Sequence, residues 1–280
     1  MQTSKISVGR HIMDMDARTY IMGILNATPD SFSDGGNFMQ VDRAIDHVAE
    51  MIEYGADLID VGGESTRPGA QYIAAEEELE RVIPVIEALA SRFDVPLSID
   101  TYKADVAEQA LQAGAHIIND VWGAKADPHM ASVAAKTKAP IILMHNRKER
   151  DYTNLMDDII VDMEQSILIS LKAGVQASQI ILDPGIGFAK TWQDNLVVMN
   201  HLERLIQLGY PVLLGTSRKS MIGKILDLPA EERVEGTIAT VCLGITKGCH
   251  IVRVHDVKEV TRAVKVMDAM LGKGIVLQHG

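Results

Sequence analysis

YIMGILNATPDSFSDGG, from Tyr20 to Gly36, begins as an apolar run, turns polar at Asn26 and opens into Thr, Pro, Asp, Ser and Gly. A near-continuous apolar run of this length suits a parallel strand buried on both faces. Its abrupt end on a carboxamide marks where packing gives way to a rim. Gly35 and Gly36 give the following loop freedom to move, and it carries Phe32 and Asp34.

The same kind of run recurs along the chain. DLIDVGG (Asp57 to Gly63), PLSID (Pro96 to Asp100), HIIND (His116 to Asp120) and PIILMH (Pro140 to His145) follow the first. IILDPG (Ile180 to Gly185), PVLLGTS (Pro211 to Ser217) and HIVRVH (His250 to His255) complete the set of eight. Between them lie helical patterns. In DRAIDHVAEMIEYGA, the residues Ala44, Ile45, Val48, Met51 and Ile52 share one face and Gly55 supplies the stop. YKADVAEQALQAGA repeats the arrangement, with Gly114 as its break.

Eight strands alternating with helices predict a (β/α)8 TIM barrel, class α/β, as a single domain over residues 1–280. KISVG and HIMDMD predict a short hairpin over the barrel bottom. A doubly wound open sheet is the structural rival, but no G-x-G-x-x-G follows the first strand.

Composition narrows the function. The chain is 47% hydrophobic and carries a formal net charge of −11. So acidic a chain speaks against non-specific binding to nucleic acid or an anionic membrane, and any anion site must gather its cations locally. Cys242 and Cys249 have no metal or redox spacing, the first residues lack the apolar core of a signal peptide, and no stretch is long enough to span a bilayer. A cytoplasmic protein is expected.

Barrel chemistry sits at the C-terminal strand ends. There the chain places Asn26, then Thr66 and Arg67, then Asp100, Asn119 with Asp120, His145 with Asn146, Asp183, Lys219 with Ser220, and Arg253 with His255. Each has a plain structural reading. Asp100 could cap the third helix, Asp183-Pro184 could be only a turn, and Arg253 could pair with Asp256 or Glu259. His255 could be a satisfied rim histidine, Lys219 a solvated lysine, and Phe188 a small local core. Their convergence on one mouth points instead to a binding site. Asp100, Asn119 and Asp183 suit a flat heterocycle rich in N–H donors. Lys219, Arg253 and His255 suit an anion, and Asn26 suits a hard cation such as Mg²⁺ bound with phosphate.

The motifs ILNATPDSFSDGG, GGESTRPG, SIDTYK, INDVWG, LMH, DPGIGFAKT, GTSRKS and VRVHDV resemble the signatures of dihydropteroate synthases, in the family's order and over nearly the whole chain. The resemblance implies a barrel that condenses 6-hydroxymethyl-7,8-dihydropterin diphosphate with para-aminobenzoate in folate biosynthesis, releasing pyrophosphate by an SN1-like, Mg²⁺-assisted route, and that is a target of sulfonamides. It implies pterin diphosphate contacts from Thr66, Asp100, Asn119, Asp183, Lys219, Arg253 and His255. Para-aminobenzoate would meet Phe32, Thr66, Arg67, Pro68, Phe188 and Ser220. Asp34, Asp183, Lys219 and Arg253 would act in catalysis, with Asn26 on the metal. It also implies a homodimer, for which Ile245, Val264 and Met267 on the last two helices offer an apolar patch. Ala27 stands where the family commonly has valine. A pterin-binding methyltransferase barrel shares the ring clamp but not the Ser-Thr-Arg-Pro loop. An inactive pterin-binding protein and an unrelated metal-dependent isomerase or aldolase are two further rivals.

Overall fold

The computed structural model describes residues 5–27, 37–65 and 72–274. Strands β1 (Lys5–Val8) and β2 (His11–Asp14) form an antiparallel hairpin. The remaining strands are β3 (Tyr20–Asn26), β4 (Leu58–Gly62), β5 (Leu97–Asp100), β6 (Ile117–Asp120), β7 (Ile141–Met144), β8 (Ile180–Asp183), β9 (Leu213–Leu214) and β10 (Ile251–Val254). All pair in parallel, in the order β8-β7-β6-β5-β4-β3-β10-β9. A parallel bridge between Leu182 and Val212 joins the two ends, so the sheet closes into the expected barrel.

Around it run α1 (Asn37–Glu53), α2 (Ala75–Arg92), α3 (Ala104–Ala113), α4 (Met130–Thr137), α5 (Leu155–Ala173), α6 (Trp192–Asn200), α7 (Glu203–Ile206), α8 (Ser220–Leu226), α9 (Val234–Thr246) and α10 (Val257–Met270). The buried face of α1 is the expected one, with Ala44, Val48 and Met51 in the core. The α3 helix ends where Gly114 adopts φ +119°, a left-handed cap that costs a glycine little. Thr191 opens α6 through a reciprocal capping box with Asp194.

Alternation along each strand sorts the core into two compartments. Ile59, Val61, Ile99, Ile118, Leu143, Leu182, Val252 and Val254 face outward and pack under the helices. Leu58, Ile117, Ile142, Ile181, Leu213 and Ile251 face inward and form the barrel floor. There they meet Ile6, Val8, Met13 and Met15 of the hairpin. The hairpin thus closes the N-terminal end, as its sequence predicts.

One expectation is corrected, and one rival reading falls. Ile245 and Val264 are core residues and Met267 packs against that core, because α9 and α10 press on each other and on the barrel. They offer no docking patch; the exposed apolar residues of α10 are Val266 and Met270. Asp100 caps no helix: α3 starts at Ala104, whose N–H is taken by the Asp127 carboxylate at 2.8 Å.

Candidate active site

Two residues above the floor, the same inward rows become polar. On β4, Asp60 follows Leu58; on β6, Asn119 follows Ile117; on β8, Asp183 follows Ile181; on β10, Arg253 follows Ile251. The parallel register sets Asp100 beside Asn119 and beside Gly62. Gly62 stands directly beside Asp100, where a Cβ would make ordinary contact with the Asp100 Cβ at 3.5 Å. Of the polar groups expected from the strand ends, Asp100, Asn119, Asp183 and Arg253 therefore share one inward layer, together with Asp60.

The layer is tightly bonded. Arg253 donates from Nε to Asp60 Oδ2 at 2.6 Å and from Nη2 to Asp100 Oδ2 at 2.8 Å. Asn119 donates from Nδ2 to the same Asp60 oxygen at 2.9 Å. Asp60 is fully buried. Burial pushes the Asp100 carboxyl upward, against the pull of Arg253. Burial pushes Asp183 up to about 6, although the Gly185 N–H donates to its Oδ1 at 2.7 Å. Burial alone would lower the Arg253 guanidinium, but Asp60 and Asp100 more than offset this and hold it above its ordinary value. The second oxygens of Asp60 and Asp100 are buried without a hydrogen-bond partner among the described residues. A buried acceptor left unfilled is costly, so the Asp100 oxygen is poised to take a donor from a ligand.

Around this layer stand other predicted residues that the structure describes. Lys219 lies with its Nζ 4.3 Å from the centre of the Phe188 ring, so Phe188 faces a cation at the mouth. His255 follows β10; its Nδ1 lies 3.0 Å from Ser217 Oγ, which also accepts the His255 N–H. Arg253 does not take Asp256, which pairs with Arg218. Ser220 is exposed at the first turn of α8, and Asn26 is exposed at the end of β3. Phe32, Asp34, Thr66, Arg67 and Pro68 lie outside the described residues. A cavity of about 720 Å³ opens over the rim, bordered by Glu64, Tyr102, Val121, Trp122, Arg147 and Phe188.

Among the described residues no group of three His, Cys, Asp or Glu could hold a metal ion. Asn26 offers one neutral oxygen at the mouth. That fits a hard cation that travels with phosphate oxygens and water, rather than one held in a protein cage.

Three groups in or beside the site escaped the reading of strand ends. Asp60 lies within DLIDVGG, and its signal was a lone carboxylate inside an apolar run with inward parity. Lys103 is buried between Glu64 and Glu78, at 2.6 and 2.5 Å, and ties the start of the β4 loop to α2. Lys190 is buried behind Phe188.

A family model described as pterin binding enzyme matches residues 22–255. The dihydropteroate synthase of Bacillus subtilis (strain 168) is 60% identical over 279 residues, covering 100% of this chain and 98% of the relative. The Clostridium difficile dihydropteroate synthase solved in the presence of pteroic acid superposes with a TM-score of 0.91 at 53% identity, covering 92% and 98% of the two chains. The Xanthomonas albilineans dihydropteroate synthase solved with 4-aminobenzoic acid gives 0.92 at 40% identity, covering 96% and 98%.

Proposed function

The chain belongs to the pterin binding enzymes and, within them, to the dihydropteroate synthases, and we propose that its described barrel mouth carries out that family's condensation with the residues assigned below. The substrates are 6-hydroxymethyl-7,8-dihydropterin diphosphate and para-aminobenzoate; the products are 7,8-dihydropteroate and pyrophosphate. The relatives solved with pteroic acid and with 4-aminobenzoic acid support this pair of small molecules. The observation that carries the assignment is the buried, partnerless oxygen of Asp100 beside Arg253 at the barrel axis.

Asp100 and Asp183 would accept the amino and ring N–H groups of the pterin, Asn119 would meet its donor–acceptor edge, and Lys219 would donate to its carbonyl side. Arg253 and His255 would take the diphosphate. Asn26 would help to hold a Mg²⁺ ion, whose chemistry would be to neutralise charge on the leaving group. The C–O bond to diphosphate breaks, its electron pair leaves with pyrophosphate, and the pterin delocalises the positive charge on the methylene. The neutral aromatic amine then forms the new C–N bond and loses a proton. An amine that is already neutral needs no strong base, in keeping with a site built of charge and hydrogen bonds. Asp183, as an acceptor for the ring, would also favour the cation electrostatically. Phe188 and Ser220 would border the para-aminobenzoate, joined by Phe32, Thr66, Arg67 and Pro68. Asp34 would approach the cation when the first loop closes and keeps water out.

A homodimer and a cytoplasmic location belong to the same reading, as does competition by sulfonamides against para-aminobenzoate. Among the described residues no helix is long and apolar enough to cross a membrane.

The test is an assay of pyrophosphate release and pteroate formation from both substrates with Mg²⁺. Chelation should stop turnover, and Asp100→Asn should lose pterin binding. Full turnover by Arg253→Ala protein would remove the anion-site assignment.

A further inference from the structure

Lys190 has no part in the chemistry above, yet it is buried, with its ammonium next to the site. Three acceptors surround its Nζ: His145 Nδ1 at 2.8 Å, the Gly185 carbonyl at 3.0 Å and the Phe188 carbonyl at 3.1 Å. An ammonium has three N–H donors, so the count closes. With Nδ1 accepting, His145 carries its proton on Nε2 and donates it to Asp162 of α5 at 3.0 Å. Asp162 also receives the Arg147 Nε at 2.5 Å. The chain of bonds thus runs from the loop after β8, through the end of β7, to α5. Burial pushes Lys190 down to about 7 and His145 down to about 4.

The loop has a reason to need such a tie. Gly185, Gly187 and Ala189 adopt φ of +67°, +88° and +47°. In this left-handed turn the carbonyls of Gly185 and Phe188 both point at Lys190. The same loop passes so close to Lys219 that a Cβ on Gly187 would stand 3.1 Å from the Lys219 Cδ. It also sets the Phe188 ring 4.3 Å from the Lys219 ammonium.

We propose that Lys190 is a positioning residue: it grips the two loop carbonyls from behind, and so fixes Phe188 against Lys219 at the mouth. What Phe188 and Lys219 then meet, an aromatic amine and a pterin, rests on the functional reading above; the grip itself does not.

Two measurements test it. The first is a crystal structure of Lys190→Met protein, which keeps the volume and removes the donors. The Phe188 ring should leave the Lys219 ammonium, and an unchanged Phe188–Lys219 contact overturns the proposal. The second is steady-state kinetics of Lys190→Ala protein with and without propylammonium, which replaces the missing chain and charge. The KM for para-aminobenzoate should rise about tenfold, with a smaller change in kcat, because an interaction with bound substrate is lost. Propylammonium should restore it without affecting the parent enzyme. An unchanged KM, or a loss that propylammonium does not recover, overturns the proposal. If Lys190→Ala does not fold, Lys190→Met takes its place in the kinetics, and an unchanged KM there is the overturning result. Failure of the parent protein to form dihydropteroate would remove the functional reading and leave the crystallographic arm standing.

Discussion

Arg253 donates to Asp60 at 2.6 Å from β10 to β4, reaching over the intervening strand β3. The carboxylate it meets is fully buried and also holds Asn119. Asp60 therefore sets the direction of both a cation and a carboxamide of the site, without standing at a strand end itself. Asp60→Asn keeps the shape and removes the charge, leaving Arg253 with Asp100 alone. Breaking a buried pair in this way should cost about 3 kcal/mol of stability. Urea denaturation should show that loss, and kcat/KM should fall with it. An unchanged denaturation midpoint would mean that the pair contributes nothing net.

Lys103 is the second buried cation with two carboxylates. Its ammonium lies between Glu64 and Glu78, and the Glu78 carboxyl is buried. Burial pushes Glu78 up, opposed by its bond to Lys103. Lys103→Met should leave both carboxylates uncompensated and lower stability by about 3 kcal/mol. Lys103→Met with Glu78→Gln should recover part of the loss. A double-mutant cycle in denaturant reads the coupling, and strict additivity would deny it.

Gly185→Ala tests the loop after β8 by geometry alone. At φ +67° a Cβ would stand 2.0 Å from the His145 carbonyl oxygen, a backbone atom that cannot step aside. Strain and the displaced loop should lower stability by at least about 2 kcal/mol. Thermal unfolding measures it, and a melting point equal to the parent's would contradict the contact.

His250 makes stability sensitive to acid. Its Nδ1 accepts the Val212 N–H at 3.1 Å, which requires an unprotonated nitrogen, and burial pushes its pKa down to about 4. Between that value and the ordinary 6.5 the unfolded chain binds the proton and the folded chain does not. The stability from this bond is therefore complete above 6.5 and drains away as pH falls toward 4. Buried carboxylates such as Asp183 act in the opposite direction over an overlapping range, because their folded pKa is raised. A difference measurement separates them. His250→Asn offers an acceptor that does not titrate, so the parent's stability relative to the variant should fall by on the order of 2 kcal/mol from pH 6.5 to pH 4. A pH-independent difference would rule the linkage out.

The strand ends were legible because a two-residue period leaves little choice. Asn119 and Asp183 lie on inward rows whose lower rungs are apolar, Asp100 follows the buried Ser98 on its own inward row, and the burial of all three follows from parity. What stayed hidden depends on contacts between distant segments. Asp60 sits inside an apolar run, and only the closed barrel brings Arg253 to it. Lys190 lies in DPGIGFAK, where glycines announce a turn but not the histidine behind it. Ile245 and Val264 read as an apolar patch because helical periodicity reports a face without naming what covers it. Short helices such as α4 and α7 carry too few turns to stand out from the segments around them.

The hairpin at the floor has a consequence for traffic. Ile6, Val8, Met13 and Met15 stop the N-terminal end of the barrel, so the polar layer opens only toward the loops. Whatever seats deepest must enter before anything that seats above it, and must leave after. On the proposed reading, with the ring acceptors deep in the barrel and Phe188 at the rim, the vessel would impose an ordered schedule: heterocycle in first, amine second, and the joined product out by the door through which its two halves came.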